Sequence, residues 1–293
     1  MANPPFGRLI TAMVTPFSDD GSLDLDEARR LAAYLVDEQG NDALVINGTT
    51  GESPTTDDGE KSELLKAVVN EVGDRAKIIA GVGTNETAAT IKRCRDALEA
   101  GCDGLLVVTP YYSKPPADAL LEHFLLVADA TDLPVMLYDI PGRSAIPIPE
   151  DTLIELARHP RIVAVKDAKG DLVSSAKVMS VTDLAYYSGD DALTLPLMAV
   201  GGVGVVGTST HFSGAATKEW MDLVAEGAHE DALEIYRRLL PVYTGVFATQ
   251  GCMLVKAGLA SRGFNKTVLR RPLKAASPSQ ARTFVQLLEA AGL

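Results

Sequence analysis

Short β-branched apolar runs ending at polar or glycine-rich turns alternate along this chain with longer stretches whose apolar residues recur at helical spacing. That alternation predicts parallel strands joined by crossover helices. Strands are expected at Arg8 to Val14, Ala43 to Asn47, Lys77 to Gly81, Gly104 to Thr109, Pro134 to Tyr138, Ile162 to Lys166, Ala185 to Ser188 and Gly204 to Gly207, and eight is the number that closes a barrel. Helical segments between them include Leu25 to Gln39, Glu60 to Val72, Ala88 to Ala100 and Ala117 to Thr131. Asp57, three positions before Glu60, fits a capping box. From about Thr217 the alternation stops, and several helices follow, ending in Pro278 to Ala291. The expectation is an α/β fold: a (β/α)8 TIM barrel over residues 1–216, with a C-terminal α-helical region over 217–293 packed on it. An open doubly wound sheet competes with this reading. It lacks a GxGxxG after the first strand, whereas polar residues stand at nearly every strand end, as a barrel mouth requires.

Composition narrows the function. With 293 residues, 46% of them hydrophobic, the chain can bury a large core without disulfides or metal. Cys94, Cys102 and Cys252 are an odd number without CxxC spacing, and read as reduced packing residues. Neither a signal peptide nor a membrane-length apolar run is expected, which points to the cytosol. A formal net charge of −12 with no basic run disfavours nucleic acid and anionic membrane as partners. Small anionic substrates remain open, because a local cationic site operates inside a negative global field.

In a barrel the C-terminal strand ends converge on one mouth. Those ends carry Asn47, Thr49, Thr50 and Glu52; Thr109, Tyr111 and Tyr112; Tyr138, Asp139 and Arg143; Lys166 and Asp167; and Gly189, Asp190 and Asp191. None of His123, His159, His211 and His229 pairs with a carboxylate cluster there, so no metal is expected. No GxSxG elbow or phosphate-binding glycine loop occurs, and no cofactor is expected. Lys166 closes the apolar run Ile162 to Val165. Either its amine emerges into solvent, or burial lowers its pKa and leaves a neutral amine able to attack a ketone. The loop Gly48-Thr49-Thr50-Gly51-Glu52-Ser53 offers consecutive N–H groups and hydroxyls for a small carboxylate, or is an ordinary strand-to-helix turn. Tyr138 brings a hydroxyl that could relay protons, and Arg143, after Pro141-Gly142, a planar fork suited to a carboxylate.

Together these segments resemble the pyruvate-dependent class I aldolases typified by dihydrodipicolinate synthase and N-acetylneuraminate lyase. The likeness rests on five motifs in order: the loop at 48–53, Thr109-Pro110-Tyr111-Tyr112, Tyr138-Asp139-Ile140-Pro141-Gly142-Arg143, Val165-Lys166-Asp167 and Ser188-Gly189-Asp190-Asp191. The resemblance implies a lyase with an imine between Lys166 and pyruvate. It implies Tyr138 as the proton-transferring phenol, with Thr49 and Tyr112 completing the relay, and the backbone at Thr49 and Thr50 holding the pyruvate carboxylate. Carbonyls of Gly189 and Val206 would orient Lys166. The second tyrosine of the pair reaches a neighbouring subunit in this family, so Tyr112 implies at least a dimer, with a homotetramer usual.

Arg143 implies the synthase branch, in which it grips the carboxylate of aspartate semialdehyde. The product would then be 4-hydroxy-tetrahydrodipicolinate, for lysine and diaminopimelate biosynthesis. A retro-aldolase or dehydratase acting on a sugar acid or another 2-oxo acid through the same imine is the alternative, and a catalytically silent barrel that binds a 2-oxo acid is another. Two departures from the commonest family pattern are Asp139 for asparagine, and Val205-Val206-Gly207-Thr208 where a serine often follows the aliphatic pair. Lys61 and Ala89 stand where feedback-regulated relatives carry histidine and glutamate, which implies insensitivity to lysine.

Overall fold

In a computed structural model, which describes residues 3–264 and 267–293, eight parallel strands close a barrel in chain order, β1 to β8. They are β1 (Leu9–Ala12), β2 (Ala43–Ile46), β3 (Lys77–Gly81), β4 (Gly104–Val108), β5 (Val135–Asp139), β6 (Ile162–Asp167), β7 (Ala185–Ser188) and β8 (Gly204–Gly207), with β8 paired back on β1. The helices around the barrel are α1 (Leu25–Asp37), α2 (Asp58–Val72), α3 (Thr87–Glu99), α4 (Ala117–Ala128), the short α5 (Pro141–Ser144), α6 (Glu150–Leu156), α7 (Leu172–Val181), α8 (Thr194–Ala199) and α9 (Thr210–Glu226). Beyond them come α10 (His229–Gly245), α11 (Gly251–Ala260) and α12 (Pro278–Ala290). The expected capping box opens α2: Asp57 Oδ1 accepts the Glu60 N–H, and Glu60 accepts the Asp57 N–H.

Period-two alternation sorts each strand between two apolar layers. Leu137, Val165 and Val205 point outward beneath the helices, while Ile10, Met136, Tyr138, Ala164 and Val206 fill the barrel. Phe6 closes its floor. The Phe6 N–H donates to the Tyr187 hydroxyl, which donates to the Gly7 carbonyl. Gly104 makes room for that ring, since a Cβ there would fall 2.5 Å from Phe6 Cε1.

Most elements differ from the sequence expectation by one to three residues at one end or both, and two of the differences have a plain cause. β1 stops at Ala12, not Val14, because the Val14 N–H turns to His211 Nε2 at 3.2 Å. His211 Nδ1 donates to the Thr208 carbonyl at 2.8 Å, so this fully buried ring is a neutral tie between the first and last strand ends. Burial lowers its pKa to about 4. α4 stops at Ala128 and not Thr131, where Asp129 caps it on the Leu125 and Val127 carbonyls. The three cysteines are free and buried, and no helix among the described residues is long and apolar enough to cross a membrane.

Candidate active site

With the floor closed by Phe6, the strand C-terminal ends form the mouth. Tyr138 and Lys166 are register partners on β5 and β6, and because 138 and 166 share the inward parity, both side chains enter the barrel. Lys166 Nζ lies 4.3 Å from the centroid of the Tyr138 ring. Lys166 is only 5% exposed and makes no ion pair among the described residues. Burial lowers its pKa to about 8; Asp191 works against that shift and Arg143 adds to it. Burial pushes the Tyr138 phenol up to about 12, opposed by Arg143 and by a hydrogen bond with the Thr49 side chain. At neutral pH the pair is therefore a phenol that keeps its proton beside an amine that can lose one.

The loop after β2 supplies the next part. Its Gly51 N–H donates to the Gly48 carbonyl and its Glu52 N–H to the Thr49 carbonyl, both at 3.1 Å. The Thr49 and Thr50 N–H groups donate to no backbone carbonyl among the described residues. Thr50 Oγ1 lies 3.4 Å from Thr208 Oγ1, across to the β8 end. A void of about 30 Å³, enough for about one water molecule, is lined by Thr49, Ser53, Tyr138 and Asn47. The buried Asn47 Oδ1 has no hydrogen-bond partner among the described residues. Larger clefts of about 730 Å³ beside α1 and α12 and about 670 Å³ on the floor side contain none of the candidate residues.

Gly189 clears the path of the lysine side chain. A Cβ there would stand 3.1 Å from Lys166 Cε and 2.9 Å from Ala168 Cβ. Val206 sits in the inner layer on β8 with Tyr138. Arg143, on α5, is exposed, and its guanidinium donates to Gln250 Oε1 at 2.9 Å, immediately before α11. Its charge is nevertheless close enough to act on both Lys166 and Tyr138. Tyr112 is not brought to these residues: it is 90% exposed with φ 74°.

Asp191 is the functional group to which sequence reasoning gave no role. It is buried, accepts the Thr208 and Ser209 N–H groups and the Ser209 hydroxyl, and so ties the β8 end to the β7 end beside Lys166. Its place in Ser188-Gly189-Asp190-Asp191 was the available signal. Asp139 faces outward, where its Oδ1 accepts the Ile148 N–H at 3.2 Å and closes the loop that carries Arg143. Burial lifts its carboxyl to about 6, opposed by Lys169, whose Nζ is 3.6 Å away.

Residues 5–291 match the model of the dihydrodipicolinate synthetase family. Over 289 residues the chain is 60% identical to a 4-hydroxy-tetrahydrodipicolinate synthase of Cutibacterium acnes, covering 99% of each chain. It is 58% identical over 288 residues to one of Acidothermus cellulolyticus, covering 98% of this chain and 93% of that one. Among solved structures, the enzyme of Cyanidioschyzon merolae with lysine bound superposes with a TM-score of 0.96 at 40% identity, covering 99% of this chain and 100% of that one.

Proposed function

The chain belongs to the dihydrodipicolinate synthetase family, and on that premise we propose that its lyase reaction runs through an imine on Lys166, with Tyr138 and Thr49 as the proton relay. The reaction is the condensation of pyruvate with L-aspartate 4-semialdehyde to 4-hydroxy-tetrahydrodipicolinate, in lysine and diaminopimelate biosynthesis. The observation that carries the assignment of the nucleophile is Lys166 itself, a buried strand-end amine without an ion-pair partner among the described residues, set 4.3 Å from the Tyr138 ring. Water solvates ammonium far better than an apolar barrel does, so burial shifts Lys166 toward the neutral amine.

Pyruvate's carboxylate is held by the N–H groups of Thr49 and Thr50, a pair of donors the turn leaves unspent. The Lys166 amine adds to the ketone carbon, and Tyr138 donates the proton with which the carbinol oxygen leaves as water. Loss of a methyl proton gives the enamine, whose carbon attacks the semialdehyde aldehyde while Arg143 grips that substrate's carboxylate. The substrate's own amine then displaces Lys166 by transimination, which closes the ring and frees the enzyme. Gly189 and Val206 position the lysine. Neither a metal nor a cofactor has a part in these steps.

Tyr112 joins the relay from a second copy of the chain. An aromatic side chain 90% exposed in a left-handed backbone conformation has no stabilising role within one chain. Val173 and Val181 on α7, at 69% and 64% exposure, favour a further apolar contact and hence a homotetramer, a dimer of dimers. Three free cysteines suit the cytosol. The substrate assignment is tested by turnover with pyruvate and aspartate semialdehyde, with sugar acids as competitors. Rapid product formation that sugar acids leave unchanged is expected; turnover of a sugar acid alone would move the enzyme to the alternative branch.

A further inference from the structure

The C-terminal helices do more than cover the barrel. Glu52 ends the carboxylate-holding turn in a left-handed conformation, φ 57° and ψ 36°, which side-chain-bearing residues seldom adopt unless something holds them there. Its carboxylate, 1% exposed, meets the ammonium of Lys256, also 1% exposed, at 2.6 Å. Lys256 lies on α11, 204 positions along the chain from Glu52. The other oxygen of Glu52 accepts the Arg270 N–H at 3.0 Å, and Lys256 Nζ donates as well to the Val268 carbonyl at 2.7 Å and sits 4.5 Å from the Phe17 ring centroid. Arg270 extends the same contact, donating to the Thr55 carbonyl and to Glu60, just beyond the turn.

A buried ion pair is a poor way to gain stability, because desolvation of both charges consumes most of their attraction. Its best-attested use is to fix one arrangement of the elements it joins. The two ends of this pair stand on the turn that leaves the Thr49 and Thr50 N–H groups free and on a helix outside the barrel. We infer that Glu52 and Lys256 are positioning residues for pyruvate capture, by which α11 holds the left-handed turn that aims the Thr49 and Thr50 N–H groups at the substrate carboxylate. The inference rests on the pyruvate-imine reading above. Gln250, the residue before α11, holds Arg143, so one helix braces the sites of both substrate carboxylates.

Truncating one partner alone strands a buried charge, so the test uses the double variant Glu52→Gln/Lys256→Met, in which both charges are removed at similar volume. The KM for pyruvate is expected to rise about tenfold or more, while the KM for the semialdehyde changes far less and the folded fraction stays high. A folded double variant with the parental pyruvate KM would overturn the inference. If the variant does not fold, hydrogen exchange on the unaltered protein decides. Saturating pyruvate should slow exchange across α11 and at Arg270 as well as in the turn, and protection confined to the turn and barrel mouth would equally overturn it. Borohydride trapping of pyruvate on the unaltered protein is run alongside. If that trapping fails, the imine reading is what has fallen; if it succeeds while the pyruvate KM of the variant is unmoved, only the role of the pair has.

Discussion

At the barrel mouth Lys166 is buried with an aromatic ring beside it and no ion pair among the described residues, whereas at the seam with the C-terminal helices Lys256 is buried with its ammonium on Glu52. Burial pushes both amines toward neutrality, yet only at Lys256 does an adjacent carboxylate favour the charged form through direct contact. Asp191 exerts that pull on Lys166 only from a distance, since its own oxygens are occupied by Thr208 and Ser209. The lesson is that burial alone does not make a lysine a nucleophile. What sets Lys166 apart is burial without a counter-ion inside the barrel mouth beside the Tyr138 ring, and that burial is a cost to the fold.

The sharpest way to break this contrast is to replace each lysine by methionine. Lys166→Met should abolish turnover and, by removing an uncompensated buried amine, raise stability by on the order of 1 kcal/mol. Lys256→Met should lower stability by about 3–5 kcal/mol because it strands the Glu52 carboxylate. Chemical denaturation of the two variants reads both numbers, and shifts of the same sign would refute the distinction.

Arg143 tests the charge that acts on Lys166 from outside the barrel. Arg143→Ala should raise the semialdehyde KM far more than the pyruvate KM, by a loss of about 2–4 kcal/mol. The same cation depresses the Lys166 pKa, so its removal should also carry the alkaline limb of imine formation to higher pH. Equal damage to both KM values would show Arg143 to be structural. Steady-state kinetics with each substrate varied in turn, repeated across pH, measures both effects.

The smallest effect concerns a third buried lysine. Lys61 donates to the Thr56 carbonyl and, at 2.8 Å, to its hydroxyl, and burial lowers its pKa to about 8. The acids that could receive an effector's ammonium near it are engaged elsewhere. Asp57 caps α2, Asp58 meets Lys92 and Arg93, and Glu86 caps the Ala88 and Ala89 N–H groups. Free lysine should therefore leave initial rates unchanged at about 1 mM, equivalent to some 4 kcal/mol of binding. Half-inhibition below that concentration at subsaturating pyruvate would show a rebuilt effector site.

Much of this was legible in the chain. Strands β3, β7 and β8 begin and end where the short apolar runs bounded by turns placed them, because buried parallel strands leave continuous apolar segments with sharp ends. The candidate residues at strand ends were legible for the same reason: barrel geometry gathers those ends whatever the side chains. What was not legible is partnership across long sequence separations. Glu52 with Lys256, Arg143 with Gln250 and Val14 with His211 are each joined by the fold alone, and no local pattern marks them. Asp191 went unassigned because its partners are two backbone amides and a serine, groups present everywhere in a sequence.

Reductive labelling shows whether Lys166 is the amine that binds pyruvate. Borohydride added to the protein with pyruvate should inactivate it and place one reduced adduct on Lys166, found by peptide mapping, because only an imine is trapped in this way. The rate of imine formation should rise with pH toward a plateau above about 8, where the amine is neutral, since its pKa is depressed from the ordinary lysine value to about 8. At pH 7 roughly a tenth of the amine is then ready to react. An adduct on Lys61, Lys169 or Lys256, or no adduct at all, would contradict the account.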